Sequence, residues 1–313
     1  MKAAQYSSYG GPEVITINPD APTPTLKECQ VLVEVYAASL NPFDMKLRMG
    51  YMKENIPLNF PVTIGGDFAG VVTEVAEGIT EFAKGDEVYG QAMIIAGNSG
   101  SMAEFTAVNT KSTAKKPTSV NYEEAASLVL VGVSALQALE DHIHLASGQK
   151  ILIHGGAGGI GSIAIQLAKH LGAYVATTVS EKDMDFVESL GADEVIDYKN
   201  EKFEEKISDF DAVYDTVGGE TLERSFSVLK KGGTLVTMAG QPDETKAKEL
   251  EITAIGQSTG TNTERLTRLA RLIDDSVIKP QIDKTFPLEQ TSSAYTYLET
   301  SHPKGKVVVS IKE

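Results

Sequence analysis

Residues 150–161 read Lys-Ile-Leu-Ile-His-Gly-Gly-Ala-Gly-Gly-Ile-Gly, and this stretch decides the fold of the chain. The apolar run at 151–153 predicts a buried strand, and the spacing G-x-G-x-x-G follows it directly at 156–161. Beyond the glycines, apolar side chains recur at every third or fourth position until Gly172. That recurrence is typical of an amphipathic helix with a glycine at its C-terminal end.

A strand, a glycine loop and a helix in this order predict a site for the pyrophosphate of a dinucleotide. Glycines let the backbone turn sharply and approach the phosphates, and the helix N-terminus offers unpaired N–H groups to them. We therefore expect the cofactor to contact Gly156, Ala157, Gly158, Gly159, Ile160 and Gly161.

Strand and helix patterns alternate on both sides of this loop, which predicts a parallel sheet with crossover helices. The predicted strands are residues 151–153, 174–179, 194–196, 212–214, 234–238 and 250–255. Six strands split around the middle form a doubly wound sheet, which binds a dinucleotide where the strand order reverses. We assign residues 121–262 to a Rossmann dinucleotide-binding domain, and the chain to the α/β class.

The sequence before residue 121 is β-rich. Alternating or β-branched runs at 30–37 and 68–75 predict strands there. After residue 262 we predict a helix and then strands at 282–286 and 306–311. One face of that helix carries Leu266, Leu269, Leu272 and Ile273. We expect this tail to return to the first domain, which then comprises residues 1–120 and 263–313.

Composition excludes several classes of protein. The 313 residues carry a formal net charge of −15, which argues against a nucleic-acid partner because it repels phosphate backbones. The single cysteine, Cys29, rules out an internal disulfide and a multi-cysteine zinc site. No stretch approaches the ~20 apolar residues of a membrane span, and the N-terminus has no apolar signal segment. We expect a cytoplasmic protein that does not enter a membrane.

The end of the second predicted strand indicates which dinucleotide is bound. NAD-binding versions place a carboxylate there to hold the ribose 2′-hydroxyl, whereas this strand ends in Ser180. Ser180, Lys182 and Tyr198 are candidates for binding a 2′-phosphate, which favours NADPH. Glu181 and Asp183 flank Lys182 and oppose its charge, so NADH, with Lys182 as a solvated surface lysine, remains the alternative.

The whole chain resembles the quinone oxidoreductase branch of the medium-chain dehydrogenase/reductase superfamily, which includes zeta-crystallin. The motifs that carry the resemblance are YGGPEV at 9–14, SLNPFD at 39–44, IGGDFAG at 64–70, the glycine loop, LGAD at 190–193 and DTVGG at 215–219. The resemblance implies a GroES-like catalytic domain split around the Rossmann domain, with the active site in the cleft between them.

The metal ligands of the zinc-dependent relatives are missing from this chain. Those relatives carry a cysteine within the segment that corresponds to residues 39–44, and Gly-His-Glu where this chain has Gly65-Gly66-Asp67. We therefore expect no metal site and no zinc-polarised alcohol oxidation. The histidines lack ligand spacing and are interpreted as surface or packing residues; they are His142, His144, His154, His170 and His302.

In the zinc-free branch, reduced nicotinamide passes hydride to a quinone or to the β-carbon of an enone. By motif match, the resemblance assigns Asn41 to hydrogen bonding with the acceptor carbonyl or the nicotinamide carboxamide. It assigns Tyr51 to donating to, or protonating, the developing enolate oxygen. A packing role for Tyr51 is the alternative, and Asp44 is expected to fix the geometry of its loop.

The resemblance also implies cofactor contacts outside the glycine loop. Val131 and Ser134 match a segment beside the nicotinamide and its ribose, and Val217 and Ala239 follow the fourth and fifth predicted strands. It further implies a homodimer. The leading hypothesis is thus an NADPH-dependent, zinc-independent quinone or enone reductase. An enoyl-thioester reductase and a non-catalytic NADPH-binding redox sensor or structural protein are the alternatives.

Overall fold

The computed structural model describes residues 1–312, which form two compact units. Of these residues, the first unit comprises 1–130, 261–275 and 280–312, and the second comprises 131–260 and 276–279. The chain therefore leaves the first unit after residue 130 and returns at residue 261, and it enters the second unit once more for the short segment 276–279. The domain limits predicted from the sequence, at residues 120 and 262, remain predictions.

The N-terminal segment of the first unit consists mainly of strands. They are β1 (Ala3–Tyr6), β2 (Ile15–Asn18), β3 (Gln30–Ser39), β4 (Val62–Thr63), β5 (Asp67–Val75), β6 (Glu87–Gln91), β7 (Phe105–Asn109) and β8 (Thr113–Lys115). Helix α1 (Pro42–Arg48) accompanies them, and helix α2 (Tyr122–Leu136) begins in the first unit and continues into the second. The alternating valines Val31, Val33 and Val35 of β3 are fully buried in one apolar cluster with Phe68 and Val88. This burial explains the period-two pattern that predicted the strand.

The second unit contains one parallel sheet with helices between its strands. Its strands are β9 (Lys150–His154), β10 (Tyr174–Val179), β11 (Glu194–Asp197), β12 (Phe210–Asp215), β13 (Leu229–Thr237) and β14 (Thr253–Gly256). Its helices are α3 (Gly159–His170), α4 (Met184–Ser189), α5 (Phe203–Lys206), α6 (Glu220–Ser225) and α7 (Glu244–Glu249). The strand order is β11-β10-β9-β12-β13-β14, which confirms the predicted doubly wound Rossmann sheet.

Two predicted strand starts in this sheet differ from the structure by three residues or more. The sixth strand begins at Thr253 and not at residue 250, because Leu250 ends α7 with its N–H bonded to the Lys246 carbonyl at 3.0 Å. The fifth strand begins at Leu229, which pairs with Phe210, although polar residues and glycines at 230–233 hide the pattern.

The C-terminal tail adds α8 (Thr263–Asp274), β15 (Ile282–Pro287), α9 (Thr291–Ser301) and β16 (Lys306–Ser310) to the chain. Strand β16 pairs antiparallel with β3 and parallel with β15, within a sheet ordered β15-β16-β3-β5-β6-β8 in which β7 also pairs with β3. All four apolar residues predicted for one face of α8 are buried. The tail thus contributes β16 to the sheet that contains β3.

Nowhere in residues 1–312 does the chain form a helix that is both long enough and apolar enough to cross a membrane.

Candidate active site

The glycine loop joins β9 to α3, and its glycines differ in what surrounds them. A Cβ on Gly156 would lie 2.1 Å from Thr177 Oγ1, and one on Gly161 would lie 2.3 Å from the Gly155 carbonyl oxygen. These two glycines are therefore required by close packing of the loop on the sheet. A Cβ on Gly158 would meet only the Gly155 oxygen, at an ordinary 3.4 Å. The space beside Gly158 is thus open within the unit.

The geometry at Gly158 fits a dinucleotide pyrophosphate. Gly158 caps the twelve-residue helix α3, whose first turn contains no acidic residue. The first N–H groups of a helix lack partners within it, and the helix dipole favours an anion at that end. Open space at Gly158 and these N–H groups together form the kind of cradle that binds phosphate.

The predicted cofactor residues of the second unit lie at one edge of the sheet. The strands are parallel, and the register pairs His154 with Thr178 and with Asp215, so that their carboxyl ends meet. Ser180 follows β10, Tyr198 follows β11, Val217 follows β12 and Ala239 lies two residues beyond β13. The structure therefore brings these residues to the same edge as the glycine loop, where doubly wound sheets bind dinucleotides.

The residues predicted to recognise a 2′-phosphate differ in exposure. Ser180 is buried, and its hydroxyl donates to Asp183 Oδ2 at 2.7 Å, so this hydroxyl already has a partner in the following turn. Lys182 is exposed, and the Tyr198 side chain is 58% exposed. The Asp183 carboxylate bonds to Ser180, whereas Glu181, on the other side of Lys182, is exposed.

One polar residue at this edge, Asp215, shapes the backbone. Asp215 is the first residue of the DTVGG motif, and the sequence alone predicts no role for it. Its carboxylate accepts N–H bonds from Val217 and Gly218, both at 3.0 Å, and it is buried. Asp215 thus shapes the loop after β12. An acid at a strand end directly before Thr-Val-Gly-Gly was the signal that could have identified it.

His154 ends β9 and is fully buried between Thr178 and Ser225, with ring nitrogen to oxygen distances of 2.9 and 3.0 Å. Burial, assisted by the charge of Arg224, lowers the pKa of His154 to about 3. The imidazole is therefore neutral at physiological pH and serves as a packing residue.

Ser134 and Val131, predicted to lie beside the nicotinamide, are both buried in α2. The Ser134 hydroxyl lies 2.7 Å from Thr259 Oγ1, and its carbonyl accepts from Tyr214 and Gln257 at 3.2 and 3.0 Å. In the structure, Ser134 therefore helps to hold the loop that follows β14.

In the first unit, Asn41 is the N-cap residue of α1 and is only 3% exposed. Its Nδ2 donates to Asp67 Oδ2 at 2.7 Å, its Oδ1 accepts from Lys306 Nζ at 2.6 Å, and its backbone N–H donates to Asp44 Oδ2 at 2.9 Å. Asp44 thus fixes the geometry of its loop, as the sequence predicted. The Asn41 oxygen faces an ammonium, so a further role for this amide is that of a donor.

The carboxylates beside Asn41 are unusual because both are buried. Burial raises the pKa of Asp44 to about 7, and repulsion from Asp67 adds to this rise. Burial also raises the pKa of Asp67, although Lys306 and Asn41 oppose the shift, and burial lowers the pKa of the Lys306 amine. Sequence analysis missed both Asp67 and Lys306 as site residues, because their 239-residue separation in the chain gives no local signal.

Tyr51 lies in the turn after α1, and its side chain is 74% exposed. Its N–H bonds to the Lys46 carbonyl at 3.1 Å, and Gly50 adopts a φ of +79°, which favours glycine in this turn. The phenol is therefore presented to solvent from an ordered turn. The packing alternative for Tyr51 is not favoured by this exposure.

The segment where relatives carry metal ligands is filled by other groups. A Cβ on Gly66 would lie 2.3 Å from Met93 Sδ, so the flexible Met93 side chain occupies the space beside this glycine. Ser39 Oγ donates to Asp67 Oδ2 at 3.3 Å. Within residues 1–312, three or more His, Cys, Asp or Glu side chains are nowhere grouped in a way that could hold a metal ion.

Comparisons with known proteins give the class. An alcohol dehydrogenase GroES-like domain family matches residues 27–118, and a zinc-binding dehydrogenase family matches residues 190–309. With the doubly wound sheet, these matches define a medium-chain dehydrogenase/reductase. The second family name concerns zinc, whereas the ligand positions of this chain are Gly66 and the 39–44 segment without cysteine.

Individual relatives narrow the class further. The chain is 39% identical to a 2-methylene-furan-3-one reductase of Solanum lycopersicum, over 99% of this chain and 79% of the relative. It is 38% identical to an NADPH-dependent alkenal/one oxidoreductase of Arabidopsis thaliana, with the same coverage. A solved quinone oxidoreductase of Coxiella burnetii is 34% identical, covers 100% of this chain and 99% of its own, and superposes with a TM-score of 0.90. The chain belongs to the quinone oxidoreductase branch of the medium-chain dehydrogenase/reductase superfamily.

Proposed function

We propose that this protein is an NADPH-dependent reductase that transfers hydride to a quinone or to an α,β-unsaturated carbonyl compound. The observation that carries the proposal is the phosphate cradle at Gly158, whose open space and free helix end suit a dinucleotide. Relatives whose names specify alkenals, a methylene-furanone or quinones supply the class of acceptor.

The cofactor residues divide the work of binding NADPH. The loop from Gly156 to Gly161 holds the pyrophosphate, with Asp215 shaping the neighbouring loop that carries Val217. Lys182 and Tyr198 are proposed to receive the 2′-phosphate, and Ser134 acts by holding the loop after β14. The bound cofactor supplies the hydride, so the protein's task is to bind, orient and polarise.

Tyr51 is the residue that we propose to act on the acceptor. Hydride delivery to a β-carbon places negative charge on the carbonyl oxygen of the acceptor. A phenol O–H donates well to such an oxygen, and the exposure of Tyr51 leaves its O–H accessible to a ligand. Asn41 is proposed to assist as an N–H donor, since its oxygen already accepts from Lys306.

We propose that the reaction needs no zinc. Gly66 and the segment from Ser39 to Asp44 contain neither histidine nor cysteine, so the positions that relatives use offer no imidazole or thiolate donor. Ser39 and Asn41 instead donate hydrogen bonds to Asp67. Polarisation of the acceptor then depends on hydrogen-bond donors.

We also propose a homodimer and a cytoplasmic location. The six-stranded sheet of the second unit ends at β14, and the outer edge of this strand can pair with the same strand of a second copy of the chain. A single cysteine suits a reducing compartment. We further propose residues 1–120 and 263–313 as the catalytic domain and residues 121–262 as the nucleotide domain.

The test is consumption of NADPH, followed by absorbance, with a panel of quinones, enals, enones and enoyl thioesters. We expect turnover with quinones and enones and little with thioesters, unchanged after dialysis against a chelator. Elemental analysis of the same preparation should find less than one zinc per ten chains. NADPH binding without turnover of any acceptor would support a redox sensor instead, and zinc-dependent turnover would refute the proposed chemistry.

A further inference from the structure

The first unit contains a cluster of charged side chains that the proposed chemistry does not use. Asp44, Asp67 and Lys306 are each less than a tenth exposed. They come from the first turn of α1, the first residue of β5 and the first residue of β16. Burying an ammonium and two carboxylates is costly unless each is compensated. This cost indicates that the three buried charges have a role beyond packing.

Lys306 is the member that connects the cluster to the backbone before α1. Its Nζ donates to the Leu40 carbonyl oxygen and to Asn41 Oδ1. Asp67 accepts from the other end of the same amide, and also from the Leu130 N–H at 3.2 Å. The Asn41 amide is thus held between a cation at its oxygen and an anion at its nitrogen, which allows only one orientation of the amide.

We propose that Lys306 is a positioning residue for the reduction, which holds Asn41 and the segment from α1 to Tyr51 in place. This inference rests on the proposed function, because Asn41 and Tyr51 are the donors proposed there. Lys306 itself touches neither cofactor nor acceptor. It acts by fixing the Leu40 carbonyl and the amide of Asn41, from which α1 and the Tyr51 turn continue.

The charge balance of the cluster makes this role measurable. Charged or titratable groups act on Asp44 from four other elements: Tyr6 of β1, Asp67 of β5, Tyr295 of α9 and Lys306 of β16. Arg48 of α1, which donates to the Gly10 carbonyl at 2.7 Å and pairs with Glu299, lies on the same helix. Lys306 lowers the pKa of Asp44, and Asp67 raises it.

The Asp44 carboxylate accepts the Asn41 N–H most strongly when ionised, so protonation loosens the start of α1. We therefore expect turnover of an enone by the wild type to fall below about pH 7, where Asp44 takes up a proton. Lys306→Met removes a cation and should move this midpoint up by at least one pH unit. Asp67→Asn removes an anion and should move it down.

The experiment measures three quantities on each full-length protein: the pH profile of kcat with an enone, the dissociation constant of NADPH, and hydrogen exchange of residues 41–51. For Lys306→Met we expect kcat to fall about tenfold at pH 7. Exchange of residues 41–51 should be at least tenfold faster, with NADPH affinity within twofold of the wild type. Residues 151–171 of the second unit serve as the internal reference for exchange.

Opposite shifts of the two midpoints are the result that a merely structural role would not give. If both variants lose activity equally at every pH, and exchange of residues 41–51 matches the wild type, Lys306 is not a positioning residue. If Lys306→Met does not fold, the downward shift in Asp67→Asn still tests the proposal. If the wild type reduces no acceptor, the proposed function fails, while the exchange measurement still decides whether Lys306 holds the segment.

Discussion

The glycine loop of the second unit and the buried cluster of the first unit hold their functional groups in different ways. The loop is one continuous stretch, residues 155–161, and its working groups are backbone N–H groups at a helix end. The cluster joins side chains from residues 41, 44, 67 and 306 through hydrogen bonds. A site made of backbone N–H groups is disrupted when a side chain is added to it. A site made of buried charges is disrupted when any one of the interacting side chains is removed.

The largest effect should come from filling the open space in the loop. We predict that Gly158→Val lowers NADPH affinity at least a hundredfold with the fold retained, because a branched side chain occupies the place of the pyrophosphate. Gly158 has an extended backbone, φ −76° and ψ 172°, which valine adopts without strain. Isothermal titration measures the affinity, and circular dichroism measures the fold.

Gly161→Ala is the matched control for that loop, since its Cβ would lie 2.3 Å from a backbone oxygen and should destabilise the unit itself. A folded Gly158→Val protein with normal affinity would show that the phosphates bind elsewhere.

The next largest effect concerns the exposed Tyr51 side chain of the first unit. We predict that Tyr51→Phe lowers kcat for an enone by roughly ten- to a hundredfold and leaves NADPH affinity nearly unchanged. One hydrogen-bond donor to a developing oxyanion is worth ~2–4 kcal/mol, and a water molecule that takes the place of the phenol restores part of this stabilisation. A quinone should be less affected, because solvent can protonate its oxygen. Steady-state kinetics with both acceptors provides the comparison. Wild-type enone turnover in this variant, with loss in Asn41→Ala, would assign the polarising role to Asn41.

A third prediction uses the buried histidine beside the glycine loop. The folded-state pKa of His154, about 3, lies below its ordinary value of 6.5, so the unfolded chain binds a proton that the folded chain excludes. Stability from this residue is complete above pH 6.5 and is lost as pH falls toward 3. At pH 5 the loss amounts to about 2 kcal/mol. Urea unfolding at pH 7 and pH 5 should show this loss in the wild type and in exposed His170→Gln, and a smaller one in His154→Gln. Equal losses in all three proteins would contradict it.

The same contrast explains what the sequence predicted. The six-strand order, the glycine loop and the apolar face of α8 follow from local periodicity and spacing, which a sequence displays directly. The pairing of Asp67 with Asn41 and Lys306 depends on β5, α1 and β16 meeting in three dimensions, and no spacing rule connects residues so far apart. The start of the last strand was predicted too early because Leu250, an apolar residue, ends helix α7 shortly before β14 and matches the strand pattern.

The smallest expected effect concerns recognition of the 2′-phosphate. Here the side chains of the loop after β10 add to a cofactor site that otherwise consists of backbone N–H groups. We predict that NADPH binds about tenfold more tightly than NADH, and that Lys182→Ala reduces this preference about threefold. The reason for so modest an effect is that Lys182 is exposed, and a solvent-screened ion pair contributes ~0.2–1 kcal/mol. Glu181 opposes it, so Glu181→Gln should increase the preference by a similar factor, and both effects should shrink in high salt. Fluorescence titration of both cofactors against the three proteins measures the preference. Tighter binding of NADH by the wild type would mean that Glu181 holds the ribose hydroxyls, and that a carboxylate one residue beyond Ser180 can replace the one usually found at the strand end.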